Sequence, residues 1–198
     1  GITPGTDGLL ILSIIRELFL LNKIDVDYLR RYTNSPWLVI QNPGSGNDGL
    51  FLRDEAGQPQ IIDRSSGKIV PYNARGVSPE MSGEIKLKNG SFAIPVFKIM
   101  YDKYIKEIYS PENISKKVGI APHRIRKFAF DLADTAFSKE VVINQPWTDW
   151  KGEKHKKMIG RPVSMHAMRG ISAHSNGFQT CRAIHVLQLI LGSIEVPG

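Results

Sequence analysis

The sequence predicts a mixed α/β fold, and three observations carry that expectation. Apolar runs of helical length stand near both ends, "LLILSIIRELFLL" and "CRAIHVLQLILG". Short β-prone pieces separated by glycine-containing turns fill the middle third. Near the C-terminal end, a strand candidate, a glycine-containing loop and a helix follow one another. This is the local shape of a nucleotide-binding βα unit, although the spacing is not Gly-x-Gly-x-x-Gly. With 198 residues, 41% of them hydrophobic and 23% charged, the chain can build one ordinary domain and is short for two. The expectation is a single α/β domain over 1–198 that carries a β-rich insertion over 35–95.

Thr6 and Asp7 precede the first apolar run in the arrangement that satisfies free backbone N–H groups, which predicts a helix from about Gly8 to Asn22. Asp25 then caps a shorter helix, "VDYLRRYT", whose basic residues come late, as the helix dipole favours. After Pro36, "NPGSGNDG", "DEAGQ", "RSSG" and "KNG" punctuate the β-prone pieces "LFLRD", "QIIDR", "KIV", "EIKLK" and "SFAIPVF". Asn89-Gly90 within "KLKNGSFAI" predicts a hairpin with positive φ angles at its turn. Helical pattern returns at "FKIMYDKYIKEI". "SPENISKKVGIAPHRIRKFAFDLADTAF" follows as a helical hairpin, its two starts marked by Ser110-Pro111 and Pro122. "EVVI" predicts a strand, "NQPWTDWKGEKHKKMIG" an aromatic and basic loop, and "RPVSMHA" a second strand. The loop "MRGISAHSNG" feeds a helix whose Cys181, Ile184, Leu187 and Leu191 share one face.

Charge and cysteine usage narrow the function. Twenty-six basic against nineteen acidic residues give a net charge of +7, which favours an anionic partner: nucleic acid, a phosphorylated ligand or a membrane surface. The lone Cys181 excludes an internal disulfide and a thiolate metal site. The most apolar run is shorter than a bilayer span and is interrupted by Arg16 and Glu17, so it reads as a buried helix. The start lacks an initiator methionine and "EVPG" ends without a capping tail, so the chain is expected to be an internal piece of a longer protein.

Five candidate sites compete. His166, His174 and His185 lack a carboxylate or second cysteine at ligand spacing, so no metal site is assigned to them. Cys181 falls on the apolar face of its helix and reads as a small hydrophobe rather than a nucleophile. "PWTDW" reads as a rim packed against a neighbouring domain or as a stacking platform. The loop before the last helix offers a cradle: Gly170 and Gly177 permit close backbone approach, Ser172, His174, Ser175 and Asn176 offer side-chain hydrogen bonds, Arg169 offers a fork for anions, and the following helix presents its positive end. An ordinary polar loop capping a helix explains the same residues. The hairpin with Lys116, Lys117, His123, Arg124, Arg126 and Lys127 reads either as a helix-turn-helix for DNA or as a solvated face.

Three segments in order resemble the molybdopterin oxidoreductase family, the large catalytic chains of the dimethyl sulfoxide reductase type. They are "TPGTDGLLILSIIRELFLLNKIDVDYLRRYT", "YSPENISKKVGIAPHRIRKFAFDLA" and "MRGISAHSNGFQTCRAIHVLQLILGSIEVPG". The resemblance implies part of a Rossmann-like cofactor-binding domain, with a helical hairpin and a β-hairpin-rich insertion. It implies molybdenum bis(molybdopterin guanine dinucleotide) as cofactor, contacted through Gly5, Thr6, Asp7, Arg169, Gly170, Ser172 and His174. The family's 4Fe-4S cluster and molybdenum ligand are expected outside this chain, so no catalytic and no metal-ligating residue is assigned. Alone the chain is expected to be inactive. The implied partners are the remaining domains of the same catalytic subunit, together with an iron–sulfur electron-transfer subunit and a membrane anchor subunit, on the cytoplasmic or periplasmic face of a bacterial membrane complex. The insertion resembles the subset that handles sulfur oxyanions. The same resemblance turns the hairpin away from nucleic acid, leaving a basic helix-turn-helix module as the alternative.

Overall fold

The computed structural model describes residues 1–149 and 152–197. Trp150, the second tryptophan of "PWTDW", lies outside the described residues. Two compact units are present, Gly1–Val26 with Tyr104–Gly198, and Asp27–Lys103. The hairpin-rich stretch expected at 35–95 falls within the second.

The first unit is built on helices. α1 (Asp7–Leu20) presents Ile14, Ile15, Leu18 and Phe19 to the interior, at the spacing of one helical face. It packs on α4 (Pro111–Val118), α5 (Pro122–Ser138) and α7 (Gly177–Ile190). Small residues allow the close approach: α5 buries Ala129, Ala133 and Ala136, spaced one turn apart, and Gly8 of α1 meets Thr180 of α7. Ile15, Leu18, Ile190 and Leu191 are fully buried. Each contributes roughly 1.5–3 kcal/mol by leaving water. Glu17 is also buried, at 7% exposure. Arg16 pairs with it at 2.8 Å and Arg126 of α5 at 3.5 Å, so the charge is compensated rather than stranded.

Local signals set the helix ends. Ser110 caps α4 by accepting from the Asn113 amide at 3.4 Å, Pro111 occupies its first turn, and Gly119 closes it at φ 75°. A short 3-10 turn, Glu107–Tyr109, precedes it. The Asp25 carboxylate, expected as a cap, holds Arg161, whose guanidinium also donates to the Ala136 carbonyl at 3.0 Å and lies over the Phe137 ring.

In the second unit, α2 (Val26–Tyr32) leads into β1 (Leu38–Gln41); β2 (Gln60–Ile62), β3 (Ile69–Pro71), β4 (Ile85–Lys86), β5 (Phe92–Pro95) and α3 (Val96–Tyr104) follow. One sheet has the order β1-β5-β4 and a second joins β2 to β3, over a core of Leu38, Ile62 and Ala93. The β4–β5 hairpin forms where Asn89-Gly90 predicts it, but only Gly90 has positive φ, at 88°. Asn89 instead accepts from the amide and hydroxyl of Ser91, so the turn is a three-residue loop with glycine last.

The first unit also carries a nested hairpin, β6 (Val141–Ile143) with β9 (Met158–Gly160) and β7 (Trp147–Thr148) with β8 (Lys154–His155). Every pairing between named strands is antiparallel. "EVVI" supplies β6, but "RPVSMHA" is not a strand. Pro162 has no N–H to continue the β9 ladder, and Arg161 leaves the ladder to reach Asp25. Among the described residues, no helix is long and apolar enough to cross a membrane.

Candidate functional site

Two segments far apart in sequence form the walls of a cleft in the first unit. One wall is the N-terminal turn. The Thr3 amide donates to the Val118 carbonyl at 3.0 Å, Gly5 takes φ 78°, and the chain enters α1 at Asp7. Thr6 stands at the N-cap position, but its hydroxyl donates back to the Thr3 carbonyl at 2.6 Å and makes no cap hydrogen bond. The expected side-chain cap is therefore absent: the tight 3–6 turn recruits the hydroxyl first. Asp7 lies inside the helix as its first residue and contributes through the dipole rather than as a cap.

The other wall runs from His166 into a short helix, α6 (Arg169–Ser172), and then to α7. The stretch read as a loop therefore contains a helical turn. Gly177 is required where it stands, since a Cβ there would lie 2.1 Å from the Ser172 carbonyl oxygen. Its amide donates to the His174 carbonyl at 2.9 Å, which folds the 172–177 turn tightly against the start of α7.

The open cleft encloses about 500 Å³ and is lined by Ile2, Pro4, Gly5, Asp7, His166, Met168, Gly170, Ile171 and His174. Of the residues read from sequence, Gly5, Asp7, Gly170 and His174 line it, whereas Thr6, Arg169 and Ser172 do not. Arg169 is exposed beside the cleft, and the Ser172 hydroxyl donates to the Arg169 carbonyl at 3.0 Å. The sequence reading misses the apolar lining residues Ile2, Met168 and Ile171. It also misses the second cleft histidine, because it considers His166 only as a metal ligand. The spacing of eight residues between His166 and His174, across a glycine-containing turn, is the signal that could have found it.

Asp7 is the one carboxylate in the lining, and it has no hydrogen bond or ion pair among the described residues. Among the described residues, the lining combines apolar Ile2, Pro4, Met168 and Ile171 with one carboxylate and two imidazoles, and holds no Lys or Arg. These features suit a planar, hydrogen-bonding heterocycle better than a phosphate. His185 is exposed on α7 and does not line the cleft.

Elsewhere in this unit, Asp149, Glu153 and His155 bring ligand-type atoms within 4.8 Å of one another. Asp149 already bonds His155 Nε2 at 3.0 Å and the Glu153 amide at 2.9 Å, which closes the β7–β8 turn. Trp147 stacks on His155 with ring centroids 4.5 Å apart. On the helical hairpin, Arg126 grips Glu112 through two 2.6 Å hydrogen bonds, which hold the Glu112 carboxyl below the ordinary carboxylate range. Lys127 pairs with Asp131 at 2.5 Å, while Lys116, Lys117, His123 and Arg124 are exposed.

No family model matches the chain. Over its whole length it is similar to a sulfite dehydrogenase subunit of Allochromatium vinosum, 37% identical across 206 residues that make up 21% of that protein. It is also similar, at 21% identity over 197 residues, to the formate dehydrogenase major subunit of Haemophilus influenzae, covering 16% of it. The chain thus spans about a fifth of the length of the curated relatives it matches, and both relatives are oxidoreductase subunits.

Proposed function

We propose that this chain is part of the catalytic subunit of a molybdopterin-dependent oxidoreductase, within an α/β cofactor-binding domain of Rossmann-like type. The cleft receives the guanine end of a molybdopterin guanine dinucleotide. One observation carries the reading: the two glycine-containing motifs that resemble cofactor-contacting segments, around residues 5–7 and 169–174, come together on opposite walls of one cleft. Asp7 accepts from the N–H edge of the base, His174 and His166 bond its polar rim, and Ile2, Met168 and Ile171 cover its faces. Arg169, exposed beside the cleft, meets the phosphates that emerge from it. When bound, the cofactor supplies the redox chemistry, and the residues here only hold and orient it.

The 37% identity to a sulfite dehydrogenase subunit supports a sulfur oxyanion as substrate. The same reading places the iron–sulfur cluster, the molybdenum ligand, an iron–sulfur partner subunit and a membrane anchor beyond this chain, and no nucleic acid among its partners. The complete gene product, purified from a molybdenum-replete host, tests it. Acid extraction should release guanine nucleotide together with stoichiometric molybdenum, and the preparation should oxidise sulfite with an artificial acceptor. A complete product free of guanine nucleotide overturns the cofactor reading. Retardation of DNA that weakens steeply with salt would favour the helix-turn-helix alternative instead.

A further inference from the structure

The two walls of the cleft are fastened to each other at two points. At the first, Gly8 of α1 lies so close to Thr180 of α7 that a Cβ on Gly8 would sit 2.8 Å from the Thr180 hydroxyl. At the second, the Asn176 side-chain amide donates to the Gly5 carbonyl at 3.1 Å, across 171 positions of sequence. The Asn176 backbone is itself held, because its carbonyl accepts from the Thr180 amide at 3.0 Å and from the Thr180 hydroxyl at 3.2 Å. Thr180 therefore both abuts α1 and steadies the residue that reaches back to the turn before α1. The consequence is visible at Gly5, whose Cβ position lies 3.8 Å from His174 Nδ1.

We infer that Asn176 is a positioning residue of the cleft: it contacts no ligand, and its hydrogen bond to Gly5 holds the wall bearing Asp7 and the wall bearing His174 at the separation the ligand needs. The inference rests on the cofactor reading for the identity of that ligand, but not for the latch itself. Asn176 is exposed, so removing its amide costs the fold little, while a lost hydrogen bond between walls loosens what they hold.

The experiment compares wild type, Asn176→Asp, Asn176→Ala and Asn176→Gln in the complete gene product. Three readouts are taken: thermal midpoint, the rate at which guanine nucleotide appears in the filtrate on dilution, and hydrogen exchange of the Thr6 and Leu10 amides. Asn176→Asp keeps the shape but turns an oxygen toward the Gly5 carbonyl. It and Asn176→Ala should lose nucleotide on the order of three- to tenfold faster, the worth of one hydrogen bond. Their midpoints should fall only slightly, and the 3–10 segment should exchange faster. Asn176→Gln, which retains the donor, should restore most of the wild-type rate. Nucleotide loss and exchange in Asn176→Asp equal to wild type overturn the latch, as does Asn176→Gln behaving like Asn176→Ala. A wild type without nucleotide sinks the cofactor reading alone. In that case the exchange comparison decides the latch: faster exchange in Asn176→Asp supports it, and equal exchange ends it.

Discussion

The carboxylate of Asp63, in the second unit, accepts from the hydroxyls of Ser65 and Ser66 at 2.6 and 2.7 Å and from the amides of Ser66 and Ser78 at 3.1 Å each. The carboxylate of Asp7, in the first unit, has no hydrogen bond or ion pair among the described residues and stands at the edge of a cleft. Both are single aspartates beside turns. Asp63 has turned local serines into a closed shell of donors, so its negative charge organises its own loop. Asp7 leaves its lone pairs open, so its charge is available to something that arrives. A satisfied buried carboxylate reads as architecture, and the proposed function makes the open one on the cleft wall the group that meets the ligand.

The largest expected effect tests the wall on the cleft side. Gly177→Ala forces a Cβ against the Ser172 carbonyl, so the 172–177 turn must open. It should destabilise the protein by roughly 1–3 kcal/mol or more, as overpacking against backbone does, and strip the nucleotide. Unchanged melting and nucleotide content would mean that this turn yields without cost. Asp63→Asn comes next and tests the closed shell. The serine donors hold the Asp63 carboxyl far below the ordinary aspartate range, so its stabilisation is fully present above about pH 4 and is lost as the pH falls toward the folded-state value. The variant should melt lower than wild type at pH 7, by a gap that stays constant down to about pH 4 and narrows below it. A gap that narrows instead between pH 7 and 5 would show that some other group governs.

Asp7 sharpens the contrast because its structural share is small. Asp7→Ala removes a favourable charge from the first turn of α1 and should cost roughly 0.3–1 kcal/mol. Asp7→Asn should cost no more than that, yet both should weaken nucleotide retention, since a carboxamide accepts from the base edge without the charge. Equal nucleotide content in Asp7→Asn and wild type would reduce Asp7 to a helix-dipole residue. Gly170→Ala should have the smallest effect on the fold. Nothing lies within 4 Å of a Cβ there, so the melting temperature should hold or rise slightly. Any loss of nucleotide in this variant would come from the ligand meeting the added methyl. A drop in melting temperature would contradict the open surroundings of Gly170.

At the ends of α4 and on the buried face of α1, where neighbours in sequence carry the signal, the structure and the sequence reading agree. Ser110-Pro111 and Gly119 bracket α4 because caps act within one turn, and the apolar spacing of α1 places its buried face. On α7, Ile184 and Leu187 are buried as expected and Leu191 follows its end, but Cys181 is only half-buried. The failures fall where two local options compete or where a distant group intervenes. The Thr6 hydroxyl is held by its donation to the Thr3 carbonyl and accepts from none of the helix amides. "RPVSMHA" has β-prone residues, but a strand exists only if a neighbour pairs with it, and Pro162 together with the pull of Asp25 on Arg161 denies one.

The cleft follows the same division. Its polar residue types, glycines and histidines, were visible as motifs at the two ends of the chain, because conformational permissiveness and hydrogen-bonding capacity belong to each residue by itself. Which of them share a cavity depended on α1 crossing α7 at Gly8 and Thr180. That contact is set by packing between the two ends of the chain, and no local rule reaches so far. Hence Gly5, Asp7, Gly170 and His174 were legible and do line the cleft. The exclusion of Arg169 and Ser172, the apolar lining of Ile2, Met168 and Ile171, and the reach of Asn176 to Gly5 were decided only when the chain folded, because each depends on how the two ends of the chain pack against one another.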